Sequence, residues 1–327
     1  MGQEERMEIS VVVPTFNRRM ILARTLEALF VQSIPVFDYE VIVVVDGSTD
    51  GTAHALRLLR PACRFRVIEQ ENRGPSAARN TGYRAAAADL VLFLDDDMLA
   101  DPGLVAAHVA AHKQREKIAA FGALFLSADS PPGLAAECFR REIGAFYVEQ
   151  KRNPGLQWQI TNCVFSNASL SRKVLNEVGG FDETFRLRED LELGTRLFNS
   201  GVIARYASNA IAHQYYEKKA GDLIRDAEAF AAGDVMFARK YPSVLIKGQL
   251  NWLTRDPLWK RSILRVVAGA PVLADLFLAP ICAFCEACIR IPLFRNMGVR
   301  ALQMRRKIHW YHKVLELDRQ SPGTTTS

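Results

Sequence analysis

The chain has 327 residues, 49% of them apolar and 24% charged, with a formal net charge of +6. That balance is that of a folded globular chain rather than a disordered one, and the length exceeds one minimal core. The charge is uneven: residues 240–327 hold 14 Lys or Arg against five Asp or Glu, a net of +9, so residues 1–239 sum to −3. A large domain with a basic appendage follows from this.

The start, "MGQEERMEISVVVPTFN", runs straight into a strand. It has no basic segment ahead of an apolar one, and no Ser or Thr at the position a myristoylation signal needs, so neither export nor N-terminal acylation is expected. In an unexported, cytoplasmic chain the six cysteines are expected as reduced thiols, and Asn167-Ala168-Ser169 as an inert acceptor pattern. Cys282, Cys285 and Cys288 step by three, which puts them on one side of a helix. No further metal-type ligand follows, so they are expected to pack.

Four apolar runs then alternate with helical patterns: "EISVVVP", "YEVIVVVD", "FRVIEQ" and "DLVLFLDDD", separated by stretches such as "RRMILARTLEALFVQS" and "GPSAARNTGYRAAAA". Near-continuous β-branched runs imply strands buried on both faces, hence an α/β fold with a mostly parallel sheet between helices. Ligands of such sheets gather at the carboxyl ends of the strands. Those ends carry Pro14 to Asn17, Asp46 to Asp50, "ENRGPSAARN", and the triplet Asp95-Asp96-Asp97.

Three adjacent carboxylates repel one another, and a cation relieves the repulsion. In an extended tip Asp95 and Asp97 would point the same way and Asp96 elsewhere. Hard oxygens on a short segment suit Mn²⁺ or Mg²⁺, which leave positions open for substrate phosphates. A dinucleotide-binding dehydrogenase is disfavoured, because the first strand ends in "PTFNRR" with no glycine fingerprint.

Farther along, "VGGFDETFRLREDLELGTRLFNSG" contains a short helix broken at Gly179-Gly180 and a second closed by Gly201. Together "VVVPTFNRRMILARTLEALFVQS", "VVVDGSTDGT", "ENRGPSAARNTGYRAA", "LVLFLDDDM" and this stretch resemble family 2 of the glycosyltransferases, over roughly residues 8–215. The resemblance implies a GT-A type sheet and inversion at the transferred sugar. It implies that Pro14 and Thr15 contact the nucleotide, Asp46 the base, and Arg79 the base or phosphates. Asp95 and Asp97 would form the D-x-D signature, Asp97 the direct metal ligand, with Asp96 nearer the donor ribose or sugar. Val45 stands where many members carry a further acid.

The resemblance also makes Asp190, preceded by Glu189, the general base; a carboxylate ionised at neutral pH can take a hydroxyl proton. An acidic helix start is the plain alternative. His213 falls where related enzymes supply a further metal or phosphate contact, against the ordinary alternative of a packed or surface histidine. Trp158 and Asn162 border the acceptor pocket by position. The implied partners are a nucleotide-sugar donor and a hydroxyl acceptor, lipid-linked or a growing polysaccharide. A nucleotidyltransferase of related fold predicts a glycine- and lysine-rich loop after the first strand, which is absent; a catalytically inactive nucleotide-binding scaffold is the remaining alternative.

Residues 263–294 are apolar, but Asp275 and Pro271, Pro280 and Pro292 interrupt a membrane span. A pair of short helices fits better, lying in a membrane interface or buried. The basic, Trp- and Tyr-bearing stretch after it favours an anionic membrane surface on the cytoplasmic side over nucleic acid. The expected division is 1–221 catalytic, 222–320 helical and basic, and 321–327 a disordered tail.

Overall fold

A computed structural model describes residues 7–113, 117–152, 162–245 and 266–320. The first half alternates as expected: β1 (Ile9–Thr15), α1 (Arg19–Leu29), β2 (Tyr39–Asp46), α2 (Thr52–Arg57), β3 (Arg64–Gln70), α3 (Pro75–Ala85) and β4 (Leu90–Leu94). There follow β5 (Met98–Ala100), α4 (Leu104–His112), β6 (Ile118–Leu126), α5 (Leu134–Arg152), β7 (Asn167–Ser171), α6 (Arg172–Val178), α7 (Glu189–Asn199) and β8 (Ile203–Gln214). The last helices are α8 (Ala220–Lys240), α9 (Pro242–Leu245), α10 (Pro271–Ala287) and α11 (Pro292–Arg319).

The eight strands form one sheet in the order β3-β2-β1-β4-β7-β6-β8-β5. β3, β2, β1 and β4 run parallel; β7 is antiparallel to both β4 and β6, and β6 and β8 are parallel. Alternation along β1 sends Val11 and Val13 to one core with Leu22, Leu26 and Val43, and Val12 to the other with Ile42, Val44 and Phe93. Both faces are therefore covered, which is why these strands read as continuous apolar runs.

The chain divides into two units. The first comprises residues 1–129 and 143–215 and contains the sheet; the second comprises 130–142 and 216–327. In the second, α8 and α11 share a cluster of Ala227, Ala231, Trp310 and Tyr311, and the Trp310 indole N–H donates to Asp234 at 2.8 Å. Arg305 of α11 donates two bonds to Asp275 of α10, at 2.8 and 3.0 Å. Cys282 and Cys285 are buried free thiols, as expected of packing residues. α10 is one helix of 17 residues that runs through Pro280, where the sequence suggested a break. Pro280 is on the exposed side of α10, so the backbone bond it removes is lost toward water rather than in a core. No helix among the described residues is long and apolar enough to cross a membrane.

Candidate functional site

Around β1 the sheet reverses its order of addition, with β2 and β3 on one side and β4 on the other. A crevice opens at the carboxyl ends of strands at such a point. Here it is a cleft of about 430 Å³ lined by Thr15, Phe16, Asp46, Arg79, Asp95, Asp96 and Arg186, among others. Pro14 lines it as well.

Asp46 closes β2 and is buried. Its carboxylate accepts from the Gln70 side chain at 2.7 Å and from the backbone N–H groups of Arg73 and Gly74 at 2.9 and 2.8 Å. It thus shapes the loop after β3 into a wall of the cleft. A carboxylate has about four acceptor positions, so one remains for a ligand. Gly47 follows in the left-handed region, φ 76°, and a Cβ there would lie 2.7 Å from the Asn72 nitrogen. Only glycine lets the two loops approach so closely.

The acidic triplet is a turn, not an extended tip: the Met98 N–H donates to the Asp95 carbonyl at 3.2 Å. The turn is pinned by Ser166, which accepts from the Asp95 N–H, and by Tyr215, whose N–H donates to the Asp97 carbonyl. Asp96 does not face away. It accepts from Thr15 Oγ1 at 2.7 Å and from Arg18 at 2.9 Å, and Arg18 also reaches Asp97 at 3.1 Å. Burial raises the Asp96 carboxyl to about 7, opposed by Arg18 and reinforced by Asp97. Burial likewise raises Asp97.

The donor set fits a hard divalent cation. Asp97 Oδ1 is shielded from solvent with no hydrogen-bond partner, and the second oxygen of Asp95 makes no hydrogen bond among the described residues. No cluster of three or more His, Cys, Asp or Glu that could hold a metal occurs among the described residues. Two carboxylates with water and phosphate completing the shell suit Mn²⁺ or Mg²⁺.

His213 is not brought to this turn. It pairs with Leu99 across β5 and β8, so its ring leaves the strand on the face opposite its neighbour Gln214. The Gln214 amide is the group that donates to Asp97, at 3.1 Å. The His213 ring lies 3.2 Å from Asp101.

Arg79, on α3, is buried and bridges two distant segments. One nitrogen donates to Asp95 at 2.7 Å and another to Glu189 at 3.0 Å. Burial disfavours its charge, but Asp95, Glu189 and Asp190 together more than offset that and raise its pKa. The bridge brings the start of α7 to the acidic turn. Asp190 accepts from the Phe165 backbone N–H at 3.2 Å, and its Oδ1 is shielded without a partner. Burial and the neighbouring Glu189 push its carboxyl well above the usual range, Arg79 opposing them. Asp190 therefore holds its proton more tightly than the sequence suggests. Behind it, Gly180 (φ 71°) leaves room for Asn80, whose side chain bonds both the N–H and the carbonyl of Phe181 at 2.8 Å. A Cβ on Gly180 would lie 2.6 Å from Asn80 Oδ1.

Arg18, Gln214 and Arg186 were not foreseen, and Phe16 was expected only as part of a strand end. Arg18 and Phe16 sit in "PTFNRR", directly after a strand end, which is a usable signal. Arg186 is exposed on the cleft, with no ion pair among the described residues. Asn162 is part-buried, and Trp158 lies outside the described residues.

The model of the family described as glycosyl transferase family 2 matches residues 10–179. The chain is 31% identical over 270 residues to validoxylamine A glucosyltransferase of Streptomyces hygroscopicus subsp. jinggangensis (strain 5008), covering 72% of this chain and 62% of that protein. It is 31% identical over 237 residues to chondroitin synthase of Escherichia coli, covering 63% of this chain and 34% of that one. The chain thus spans less than two thirds of the length of these relatives. In fold it is similar to the mannosyltransferase PcManGT from Pyrobaculum calidifontis in complex with GDP-Man and Mn²⁺, with a TM-score of 0.60 at 20% identity over 94% of this chain and 87% of that one. With its mostly parallel GT-A sheet, its acidic turn after the fourth strand and a family match over more than half its length, the chain belongs to glycosyl transferase family 2.

Proposed function

We propose that the chain is a metal-dependent inverting glycosyltransferase that moves a sugar from a nucleotide-sugar donor to a hydroxyl acceptor. The observation that carries this reading is the Arg79 bridge, which joins the acidic turn on the cleft to the helix start bearing Asp190. The complex of PcManGT with GDP-Man and Mn²⁺ supports it.

In this reading Pro14, Thr15 and the loop held by Asp46 receive the nucleoside, and Phe16 offers an exposed ring to the base. Arg79 is spent on protein carboxylates, so the phosphate contact expected of it passes to Arg186. Asp95 and Asp97 would hold the Mn²⁺ or Mg²⁺, which when bound offsets the charge of the diphosphate. Asp190 takes the proton of the acceptor hydroxyl while that oxygen bonds to the anomeric carbon. The bond from that carbon to the diphosphate oxygen breaks, its electron pair leaves with the nucleoside diphosphate, and configuration inverts. The acceptor is a lipid-linked or polysaccharide hydroxyl.

Nucleotide release from UDP-, GDP- and dTDP-sugars, with Mn²⁺, Mg²⁺ or EDTA, tests the reading. One donor is expected to turn over, only with metal. Asp190→Asn is expected to lower kcat by roughly 10²- to 10⁴-fold, the range for loss of a general base. Unchanged turnover in Asp190→Asn would remove it from the chemistry. If titration calorimetry showed metal-dependent binding of nucleotide but no donor turned over with any hydroxyl acceptor, the scaffold reading would replace this one.

A further inference from the structure

The outward side of α10 is built differently from the surface of a helix that faces water. Leu273, Leu276, Phe277 and Phe284 recur at three- and four-residue steps and are exposed, Phe277 by 74% and Leu276 by 64%. Pro280 and Ala287 continue the stripe, so no polar side chain lies on it. Asp275 is turned to the opposite side, where Arg305 and His309 hold it. α11 extends the pattern: Leu293, Met297 and Met304 form an exposed stripe with Arg300 in its middle. Arg290, in the connection between the two helices, is exposed too. Neither Arg290 nor Arg300 makes an ion pair among the described residues.

Exposed apolar surface of this extent costs free energy in water and marks a surface that something covers. We propose that α10 and the start of α11 form a docking face for an anionic lipid surface, on which α10 lies in the plane of the headgroups. Charge selects this occupant. A second copy of the chain would bring unpaired Arg290 and Arg300 toward their own kind, whereas anionic headgroups complement them. Length selects the orientation: at 1.5 Å per residue, 17 residues reach about 25 Å, short of the roughly 30 Å hydrocarbon core. An apolar face with flanking cations is the composition that interfacial helices use. The inference stands apart from the reading of the cleft, since none of these residues lines it.

Flotation of the full chain with vesicles tests it, comparing phosphatidylcholine alone with mixtures containing phosphatidylglycerol. The chain is expected to float with the anionic vesicles at low salt and to be released by high salt. Arg290→Gln with Arg300→Gln is expected to lower partitioning by about 30-fold, at about fivefold for each basic residue near an anionic surface. Leu276→Asp with Phe277→Asp is expected to abolish flotation while leaving the circular dichroism spectrum and donor turnover unchanged. Failure of the unaltered chain to float, equal flotation with neutral vesicles, or flotation that survives Leu276→Asp with Phe277→Asp would each overturn the proposal. A dimer in sedimentation that those two substitutions split, without vesicle binding, would overturn it in favour of a second copy.

Discussion

Removing the Arg79 guanidinium would leave Asp95, Glu189 and Asp190 facing one another without a counter-charge. Breaking a buried pair of this kind costs about 3–5 kcal/mol. A lysine would not repair it, because a single ammonium cannot fork to two carboxylates as Arg79 does. The same cluster governs Asp190, whose proton affinity is raised first by burial and next by Glu189. With Asp190 as the proposed base, which must be deprotonated to act, the rate is expected to rise with pH through its pKa and to level off above it. The rising limb is therefore expected above the ordinary carboxylate range of about 4. Glu189→Gln removes a like charge, lowers that pKa and is expected to move the limb toward acid. The kcat/KM profile against pH reads this out; a limb that stays where it was would mean that another group titrates.

α4 is joined to β7 by buried polar groups rather than by apolar packing alone. His108 lies 2.8 Å from both Ser169 and Asn167, and His112 lies 2.9 Å from Ser169. Burial pushes both imidazoles down to about 4. Unfolded histidine takes a proton near 6.5, so between pH 6.5 and about 4 the unfolded chain binds protons that the folded one refuses. The stability these groups contribute is complete above 6.5 and is lost as pH falls through that window. Each histidine adds a slope of about 1.4 kcal/mol per pH unit. His108→Gln is expected to flatten the acid limb of urea-unfolding free energy by about that amount, and an unchanged slope would place the proton uptake elsewhere.

These elements also mark the limit of what the sequence discloses. β1 to β4 are legible because burial on both faces demands unbroken apolar runs, as in "VIVVVD". β7 and β8 are not: "NASLS" and "IARYASNAIAHQ" are small and polar, and become strands because tertiary neighbours satisfy them, Asn167 donating to Ala123 and Ala210. Within the site, the residue types at strand ends were legible and their pairings were not. Nothing in "DDD" announces a turn shared between Arg18 and Arg79, since that depends on residues brought in from the N-cap of α1 and from α3.

At the scale of the whole molecule, residues 130–142 belong with the C-terminal helices although the sheet's last two strands, β7 and β8, follow them in the chain. The Leu134 N–H donates to Glu286, Arg141 donates to Asn296, and Phe139 stacks on Tyr216. A chain cut after Tyr215 would keep the sheet but strip this segment of its partners, uncovering the buried Leu134 and Cys138. Such a truncation is expected to aggregate, or to unfold at a lower temperature than the full chain. Deleting residues 130–142 from it would not be a remedy, because the same helix continues into the sheet-bearing unit. Light scattering of the cut chain checks this, and a stable soluble monomer would show that the segment needs no cover.

The position of β7 between β4 and β6 bears on how the protein is born. During synthesis the four neighbouring parallel strands, β1 to β4, emerge first and can pair at once. The acidic turn, however, takes its backbone anchors from Ser166 and Tyr215. A ribosome must therefore deliver more than half of the polypeptide before the carboxylates can be set in place. Contacts so far apart along the chain form slowly. On the proposed function, the nascent protein would pass through a stage with the Asp46 loop in place and the acidic turn unanchored, so a growing chain would hold a nucleotide without being able to spend it.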